Sequence, residues 1–296
     1  MHSAVYNSLE TISDAIDEVN VLRCTATKTK PDEPETQWDA ESKFDAAKDK
    51  NAFRQYDTAM ERVRKFYMEQ HAKQTWAHNQ EARERFSSPQ RIRPEMTVWE
   101  AIEKLNTLID DSDPDTELSQ IQHLLQTAEA IRRDGKPRWM QVVGLIHDLG
   151  KLMLEFKLAE GQWEVVGDTF PVGCRFNSRS VYPETFAANP DYHDPIFSTQ
   201  HGVYRAGGGI EQLVMSWGHD EYLYLVAKDQ STIPREGLAM IRYHSFYPWH
   251  KEGAYRDFMK DSDEKLLEAV QAFNPYDLYS KTDSPPKVEE LKASPP

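Results

Sequence analysis

The chain has 296 residues, 39% of them hydrophobic, which is enough to build the core of one large domain or two modest ones. Its 35 basic and 49 acidic residues give a formal net charge of −14, which argues against nucleic acid or an anionic membrane as a partner. The N-terminus lacks the pattern of a secretory signal, and no apolar run could span a bilayer. The only cysteines, Cys24 and Cys174, lie far apart and suit a reducing compartment, so we expect a cytoplasmic protein.

Acidic and proline-containing sequence at both ends of the chain is typical of tails. Residues 1–50 are expected to form a flexible acidic N-terminal tail, and residues 283–296 a flexible C-terminal tail. Residues 51–282 carry mostly helical patterns, so we predict a single, mainly α domain between the tails.

The first half of this domain predicts three helices. One long, exposed amphipathic helix is predicted over residues 57–85. The capping-box sequence TVWE then begins a helix over residues 97–109, with Val98 facing inward. The acidic run 110–117 follows, and its composition alone favours a solvated turn. A third helix is predicted over residues 118–133, closed by a glycine.

The stretch 138–151 predicts a buried helix that ends with His147, Asp148 and Lys151. A His-Asp pair in such a place is costly to bury unless it binds something. Adjacent helical positions diverge by about 100°, so these two side chains can flank a pair of metal ions. Lys151 lies four residues after His147 and shares its face.

The second half is less regular. β-forming residues with glycine and proline over residues 162–174 predict a small β-hairpin or an extended loop, and residues 175–209 are expected to be irregular. Helical patterns return in three segments, over residues 210–216, 218–229 and 234–245. A last helix is predicted to begin at Ser262 and to end before the sequence NPYDLY.

Four of the ten histidines lie in or at the end of apolar helices: His123, His147, His219 and His244. A single buried histidine is more often a hydrogen-bonded core residue, but four in separate helices favour a metal site. Imidazole and carboxylate without thiolate suit iron, manganese or zinc and disfavour a structural zinc site. The candidate carboxylates are Asp148 and Asp277, with Asp220 as a rival, because the dipeptide His-Asp occurs twice.

Four histidines and two aspartates exceed what one ion with an open position can bind. A pair of ions sharing one carboxylate accommodates them, and Asp148 is the natural bridge because its neighbour His147 already binds on one side. Histidines elsewhere, such as His71 on the predicted exposed helix, have no predicted role.

The order of these residues resembles that of the HD-domain superfamily of helical metalloproteins. The surrounding segments are more specific, and over roughly residues 50–282 the chain resembles the myo-inositol oxygenase family: SDPD (112–115), HLLQTAE (123–129), GLIHDLGK (144–151), QWEVVGDTFPVGC (162–174), MSWGHDEYLY (215–224), RYHSFYPWH (242–250) and FNPYDLYSK (273–281). The resemblance implies an HD-domain-like helical bundle.

The resemblance also implies an activity. Such an enzyme converts myo-inositol and O2 to D-glucuronate and water by ring cleavage at a non-heme di-iron centre, with a mixed-valent Fe(II)/Fe(III) pair in the active form. Asp148 would bridge the two ions. The other ligands implied are His123, His147 and Asp277 for the first iron and His219 and His244 for the second, which leaves Asp220 outside the ligand set. A cytoplasmic monomer active in inositol catabolism is implied as well.

The matching segments further imply contacts with the substrate. Lys151 and Asp148 would be catalytic, and the acidic run would hold the polyol, because carboxylates and serine hydrogen-bond sugar hydroxyls. The implied contacts are Arg54, Asp110, Asp111, Ser112, Lys151, Gly167, Asp168, His244 and Ser245. Family members usually have Cys-Gly-Leu where this chain has Gly208-Gly209-Ile210, so no role for that cysteine is transferred.

Two other functions stay open from the sequence. A metal-dependent phosphohydrolase of the wider HD superfamily would need cations that converge on phosphate. Lys151 and Arg54 could serve, but the acidic run at 110–117 would repel a phosphate dianion. The second of these functions is that of a metal-binding protein without catalytic activity, and uptake of O2 that depends on inositol would distinguish an oxygenase from it.

Overall fold

The computed structural model describes residues 44–50, 53–90, 94–114 and 119–282, which belong to one compact unit. Most of the two predicted tails lies outside these residues. The domain is mainly helical, as predicted, and none of its described helices is both long and apolar enough to cross a membrane. In chain order the α-helices are α1 (Glu61–Lys73), α2 (Trp76–Ser87), α3 (Val98–Leu105), α4 (Gln120–Arg133), α5 (Arg138–Ile146), α6 (Leu152–Glu155), α7 (His219–Gln230), α8 (Arg235–Tyr243), α9 (Tyr247–His250) and α10 (Glu264–Tyr279).

The single long helix predicted over residues 57–85 is in fact two helices, α1 and α2. The break lies at Gln74 and Thr75. The Gln74 side-chain amide donates to the main-chain carbonyl of Trp217 at 2.7 Å, and the Thr75 hydroxyl accepts from the His78 amide and caps α2. The prediction that this segment is exposed was also wrong, since α1 buries the following side chains: Val63, Phe66, Tyr67, Gln70 and His71.

The capping box at the start of α3 is present. The Thr97 hydroxyl accepts from the Glu100 amide, and the Glu100 carboxylate accepts from the Thr97 amide at 2.8 Å. The helix ends earlier than predicted, at Leu105, and Val98 is 49% exposed rather than inward. Ile102 and Leu105 instead form the buried face that packs on α4.

The predicted helix over residues 138–151 ends at Ile146. His147 and Asp148 form a turn, and a 3-10 turn over Leu149–Lys151 leads into α6. Gly150 lies against the start of α7 so closely that a Cβ atom there would be 2.1 Å from the His219 carbonyl oxygen. This backbone contact brings the first His-Asp segment next to the second.

The predicted β-hairpin over residues 162–174 is not confirmed. This segment starts with a 3-10 turn over Gln162–Glu164, and its extended part pairs with residues about forty positions later instead of with itself. The Val172 amide donates to the Val214 carbonyl at 2.9 Å, and the Ser216 amide donates to the Phe170 carbonyl at 2.7 Å. An isolated antiparallel bridge joins Pro171 to Met215. The β-forming composition of the segment did not identify its partner.

In the last part of the domain, α8 packs against both α7 and α10. The helix predicted over residues 210–216 is only a 3-10 turn at Ile210–Gln212, whereas α7 and α8 agree with the predicted helices. The sequence predicted that the last helix ends before NPYDLY, which would place Asp277 beyond it. In the structure α10 continues through Pro275 to Tyr279, so Asp277 lies on the helix. The buried side chains between α8 and α10 include Tyr243, Leu267 and Val270.

Candidate metal centre and active site

Four buried histidines converge as two pairs. The Nε2 atoms of His123 and His147 are 3.2 Å apart, and those of His219 and His244 are 3.1 Å apart. α4 supplies the first histidine and α7 the third. The other two each follow directly on the last residue of a helix, α5 or α8. The helix C-terminus is a place where the peptide dipole favours a bound cation.

Asp148 lies between the two pairs. Its Oδ1 atom is 3.3 Å from His219 Nε2 and 3.7 Å from His244 Nε2. Its Oδ2 atom is 3.6 Å from His123 Nε2 and 3.8 Å from His147 Nε2. One carboxylate therefore presents each of its oxygens to a different histidine pair.

Asp277 faces the first pair alone. Its Oδ1 atom is 3.1 Å from His123 Nε2 and 3.3 Å from His147 Nε2. Asp220, the rival carboxylate, lies on the other side of the second pair. Its oxygens are 3.0 Å from His244 Nδ1 and 3.4 Å from His219 Nδ1, so they face away from the Nε2 atoms.

The histidine rings are oriented for metal binding. The Nδ1 atoms of His147, His219 and His244 lie 2.7–3.0 Å from the main-chain carbonyls of Gly144, Val165 and Ile241, respectively. A carbonyl accepts only from a protonated Nδ1, which leaves the Nε2 lone pair free for a metal. Lone pairs that face each other at 3.1 Å repel unless a cation lies near them. The donor set thus fits a metal centre of nitrogen and carboxylate oxygen ligands.

Lys151 connects this candidate centre to the acidic loop, the name used below for residues 110–114 of the acidic run. Its Nζ atom is 2.9 Å from Asp148 Oδ2 and 2.9 Å from Asp110 Oδ2. Burial disfavours the ammonium, but the two carboxylates outweigh burial and raise the pKa of Lys151 well above its usual value. The Lys151 charge in turn contributes to lowering the pKa of the buried Asp148 carboxyl well below its usual range. Lys151 is therefore a proton-bearing hydrogen-bond donor at neutral pH.

A polar cavity opens beside the candidate metal ligands. Arg54 and Asp168 line it and form a two-point ion pair, with Nη1 to Oδ1 at 3.1 Å and Nη2 to Oδ2 at 2.6 Å. The guanidinium of Arg54 stacks on the Tyr247 ring at 3.4 Å, and the Tyr67 hydroxyl accepts from the Asp168 amide at 3.2 Å. These contacts fix the orientation of a carboxylate that faces the cavity.

Gly167 sets the turn that presents Asp168. Its φ of +93° lies in the left-handed region that favours glycine, and a Cβ atom there would be 2.6 Å from the Phe66 ring. The Gln70 side chain donates to the Val166 carbonyl at 2.9 Å on the near side of the same turn. Gly167 is thus required by close packing as well as by its backbone conformation.

The acidic loop places its residues in different surroundings. Asp110 and Ser112 line the cavity, and the Ser112 amide donates to Asp110 Oδ1 at 2.9 Å. Asp111 lines a neighbouring surface groove, and its Oδ1 is 3.8 Å from Arg62 Nη1. Ser245 lines the cavity beside His244. All the predicted substrate contacts except Asp111 therefore border this one cavity in the described part of the chain.

Comparison with known proteins decides the family. The profile of the family described as "Myo-inositol oxygenase" matches residues 60–294. "Probable inositol oxygenase" of Oryza sativa subsp. japonica is 50% identical over 248 residues, which cover 82% of this chain and 80% of that protein. "Inositol oxygenase" of Dictyostelium discoideum is 45% identical, with 84% and 87% covered, and that of Sus scrofa is 44% identical, with 84% and 88% covered.

The chain belongs to the myo-inositol oxygenase family. The family predicted from the sequence segments is therefore confirmed. In this member of the myo-inositol oxygenase family, the glycine triplet Gly207–Gly209, which overlaps the departure at Gly208-Gly209-Ile210, is held by its main chain. The Gly207 amide donates to the Asp257 carbonyl at 2.9 Å and the Gly209 amide to the Phe258 carbonyl at 2.8 Å.

Several residues that line the cavity of this myo-inositol oxygenase family member were missed by the sequence reasoning. Tyr67 and Tyr247 each directly follow a phenylalanine, and no local pattern distinguishes them from core residues. Lys281 was within the matching segment FNPYDLYSK but was given no role. Its Nζ is 2.7 Å from Asp113 Oδ2, so it ties the acidic loop to the end of α10. Four-residue spacing from Asp277 was the one signal that could have indicated Lys281.

Proposed function

We propose that this protein is an inositol oxygenase that converts myo-inositol and O2 to D-glucuronate and water at a pair of iron ions. The observation that carries the proposal is Asp148, whose two oxygens face two separate histidine pairs at the floor of a polar cavity. The electrons balance, because ring cleavage with this product removes four electrons and one O2 accepts four. No further redox cofactor is required by this stoichiometry.

The ligand set divides into two groups. His123, His147 and Asp277 would hold the first iron, and His219 and His244 the second, with Asp148 shared between them. When bound, a mixed-valent Fe(II)/Fe(III) pair would supply Lewis acidity and the redox steps with O2. Nitrogen and carboxylate ligands without thiolate support iron over a structural zinc.

The residues of the cavity would bind and orient the polyol. The carboxylates of Asp110 and Asp168 are acceptors for ring hydroxyls, and the Arg54 ion pair holds the second of them in place. Lys151 Nζ keeps its proton and can donate to an oxygen that develops negative charge during the reaction. Burial of these groups strengthens their electrostatic contacts by excluding water.

The alternative functions have weaker support. A phosphohydrolase site would direct net positive charge at its substrate, but the cations Arg54 and Lys151 are both neutralised by carboxylates. A metal-binding protein without activity would not need a polar cavity beside its ligands. Membership of the myo-inositol oxygenase family also favours the oxygenase over both alternatives.

The test is anaerobic loading with iron, followed by O2 uptake with myo-inositol and assay of glucuronate. We expect one O2 consumed and one glucuronate formed per inositol, and loss of iron binding in Asp148→Asn. Asp263→Asn, at a buried aspartate that accepts from the Ile210 amide, serves as the matched control and should retain iron. Full iron loading without O2 uptake, or phosphate release from nucleotides without O2 uptake, would refute the proposal.

We also propose that the enzyme acts as a cytoplasmic monomer. The family resemblance supports the monomer, and the buried free thiol of Cys174 suits a reducing compartment. Sedimentation of the iron-loaded protein at working concentration tests the first statement. A stable dimer would contradict it.

A further inference from the structure

One half-buried glutamine outside the cavity joins the two loops that would bind the substrate. The Gln162 side chain reaches the main chain on both sides of Asp110. Its Oε1 atom accepts from the Asp111 amide at 2.9 Å, and its Nε2 atom donates to the Ile109 carbonyl at 2.9 Å. Two hydrogen bonds from one planar amide fix both the position and the rotation of this peptide segment.

The main chain of the same residue holds the second loop. The Gln162 carbonyl accepts from the amides of Val165 and Val166, each at 2.9 Å. These residues lead directly into Gly167 and Asp168, the turn that presents the second cavity carboxylate. Trp163 follows Gln162 and is buried in the core, which fixes the main chain next to Gln162.

We propose that Gln162 is a positioning residue that couples the Asp110 loop to the Asp168 turn and thereby sets the affinity for the polyol. This inference rests on the proposed function. Both carboxylates have to meet hydroxyls of one rigid ring, so their separation matters as much as their presence.

The other contacts of the acidic loop in the described residues do not tie it to the Asp168 turn. The ion pair of Lys281 with Asp113, at 2.7 Å, joins the loop to the end of α10 instead. Lys151 holds the Asp110 carboxylate, but it is shared with Asp148 and does not fix the loop backbone. The pair of Arg62 with Asp111 has an N–O distance of 3.8 Å and is more than a third exposed on both sides, where ion pairs contribute little.

The position of Gln162 outside the cavity predicts which kinetic constant its substitution changes. Gln162 does not line the cavity, and the predicted metal ligands lie on the helices and turns of other segments. Loosening the Asp110 loop should therefore weaken substrate binding and leave metal loading intact. A general loss of folding would instead lower iron content and kcat together.

The experiment compares Gln162→Met with Gln212→Met in the iron-loaded full chain. Methionine keeps the length of the side chain but removes both hydrogen bonds. Gln212 is a matched control, because its side chain bonds the amide and the carbonyl of Arg205 in the same way, in a loop that contributes no residue to the described lining of the cavity. For Gln162→Met we expect a KM for myo-inositol raised on the order of tenfold, with kcat and iron content changed less than about twofold.

Hydrogen exchange gives a readout independent of turnover. Without substrate, the Asp111 amide should exchange faster in Gln162→Met than in the wild type, and at the wild-type rate in Gln212→Met. An unchanged KM in Gln162→Met would overturn the inference whatever the exchange rate, as would equal KM changes in the two variants. Failure of the proposed function would be seen separately, as a wild-type protein that neither binds nor oxidises myo-inositol.

Discussion

Asp148 contacts both halves of the candidate centre. Its two oxygens face both histidine pairs, and the second oxygen also accepts from Lys151 at 2.9 Å. Asparagine at this position would replace one of these oxygens with an amide nitrogen, which cannot bind a metal as a carboxylate does. One atom exchanged at residue 148 therefore affects both halves of the centre.

Gly167 supports a prediction at the same scale. Gly167→Ala should destabilise the fold by about 2–4 kcal/mol, because alanine meets both an unfavourable φ and the Phe66 ring. Urea unfolding measures the change, and the KM for myo-inositol should rise because Asp168 is displaced. Gly135→Ala is the control, since Gly135 has a φ of +67° but nothing within 4 Å of an added Cβ. A loss in Gly167→Ala no larger than in Gly135→Ala would show that the close contact costs nothing.

Residue identity was the part of the site that sequence could predict. Four histidines in apolar segments indicated a metal, because burying them without a ligand is costly. Which carboxylate joined them was left open by spacing alone, and the resemblance to a family chose Asp148 over Asp220. The stacking of Arg54 on Tyr247 could not be foreseen, since 193 positions separate them and neither lies in a periodic pattern.

At the scale of elements, a buried ion pair ties together the two helices of the second histidine pair. Glu221 lies two positions after His219 on α7, and Arg242 lies two positions before His244 at the end of α8. Arg242 donates twice to the Glu221 carboxylate, at 2.7 and 3.1 Å, and both side chains are buried. The contact fixes the crossing of the helices close to the proposed metal ligands His219 and His244.

Arg242→Met should therefore cost about 3–5 kcal/mol of unfolding free energy, because it leaves the buried Glu221 with less compensation. Iron content should also fall as the second pair separates. Arg235→Met on the same helix is the control, since its pair with Glu211 is nearly half exposed and should be worth less than about 1 kcal/mol. Chemical denaturation and iron analysis test both expectations. Equal stability of the two variants would contradict them.

Predictions of elements succeeded where one pattern decided the outcome and failed where distant partners did. The capping box began α3 as expected, because capping is local. The break between α1 and α2 depends on Gln74, which is held by the carbonyl of Trp217 on a distant segment. The predicted β-hairpin failed for the same reason, since Phe170 and Val172 pair with residues far along the chain.

For the whole molecule, acid stability should depend on a histidine distant from the metal centre. His71 is buried on α1, stacked on Phe186, and burial lowers its pKa to about 3. The unfolded chain would bind this proton near pH 6.5, so between about pH 6.5 and 3 the unfolded state carries more protons. Acidification through that window therefore favours unfolding.

His71→Phe should remove this component of the pH dependence. Between pH 7 and pH 5 we expect the wild type to lose about 2 kcal/mol more unfolding free energy than the variant does. Phenylalanine keeps the ring packing, and the Thr185 hydroxyl still donates to the Tyr182 carbonyl. Urea titrations at the two pH values give the comparison. Parallel losses in both proteins would show that His71 titrates alike in the folded and unfolded chains.

The contact of Gly150 with the His219 carbonyl has a consequence for the stiffness of the centre. The two histidine pairs are spaced by backbone packed on backbone, with no room for even a methyl group. No side chain at this contact can change rotamer to widen the spacing between the two histidine pairs. Ions of different radius at the proposed centre would therefore meet a nearly fixed spacing of the two histidine pairs, and discrimination among them by size would come from the main chain.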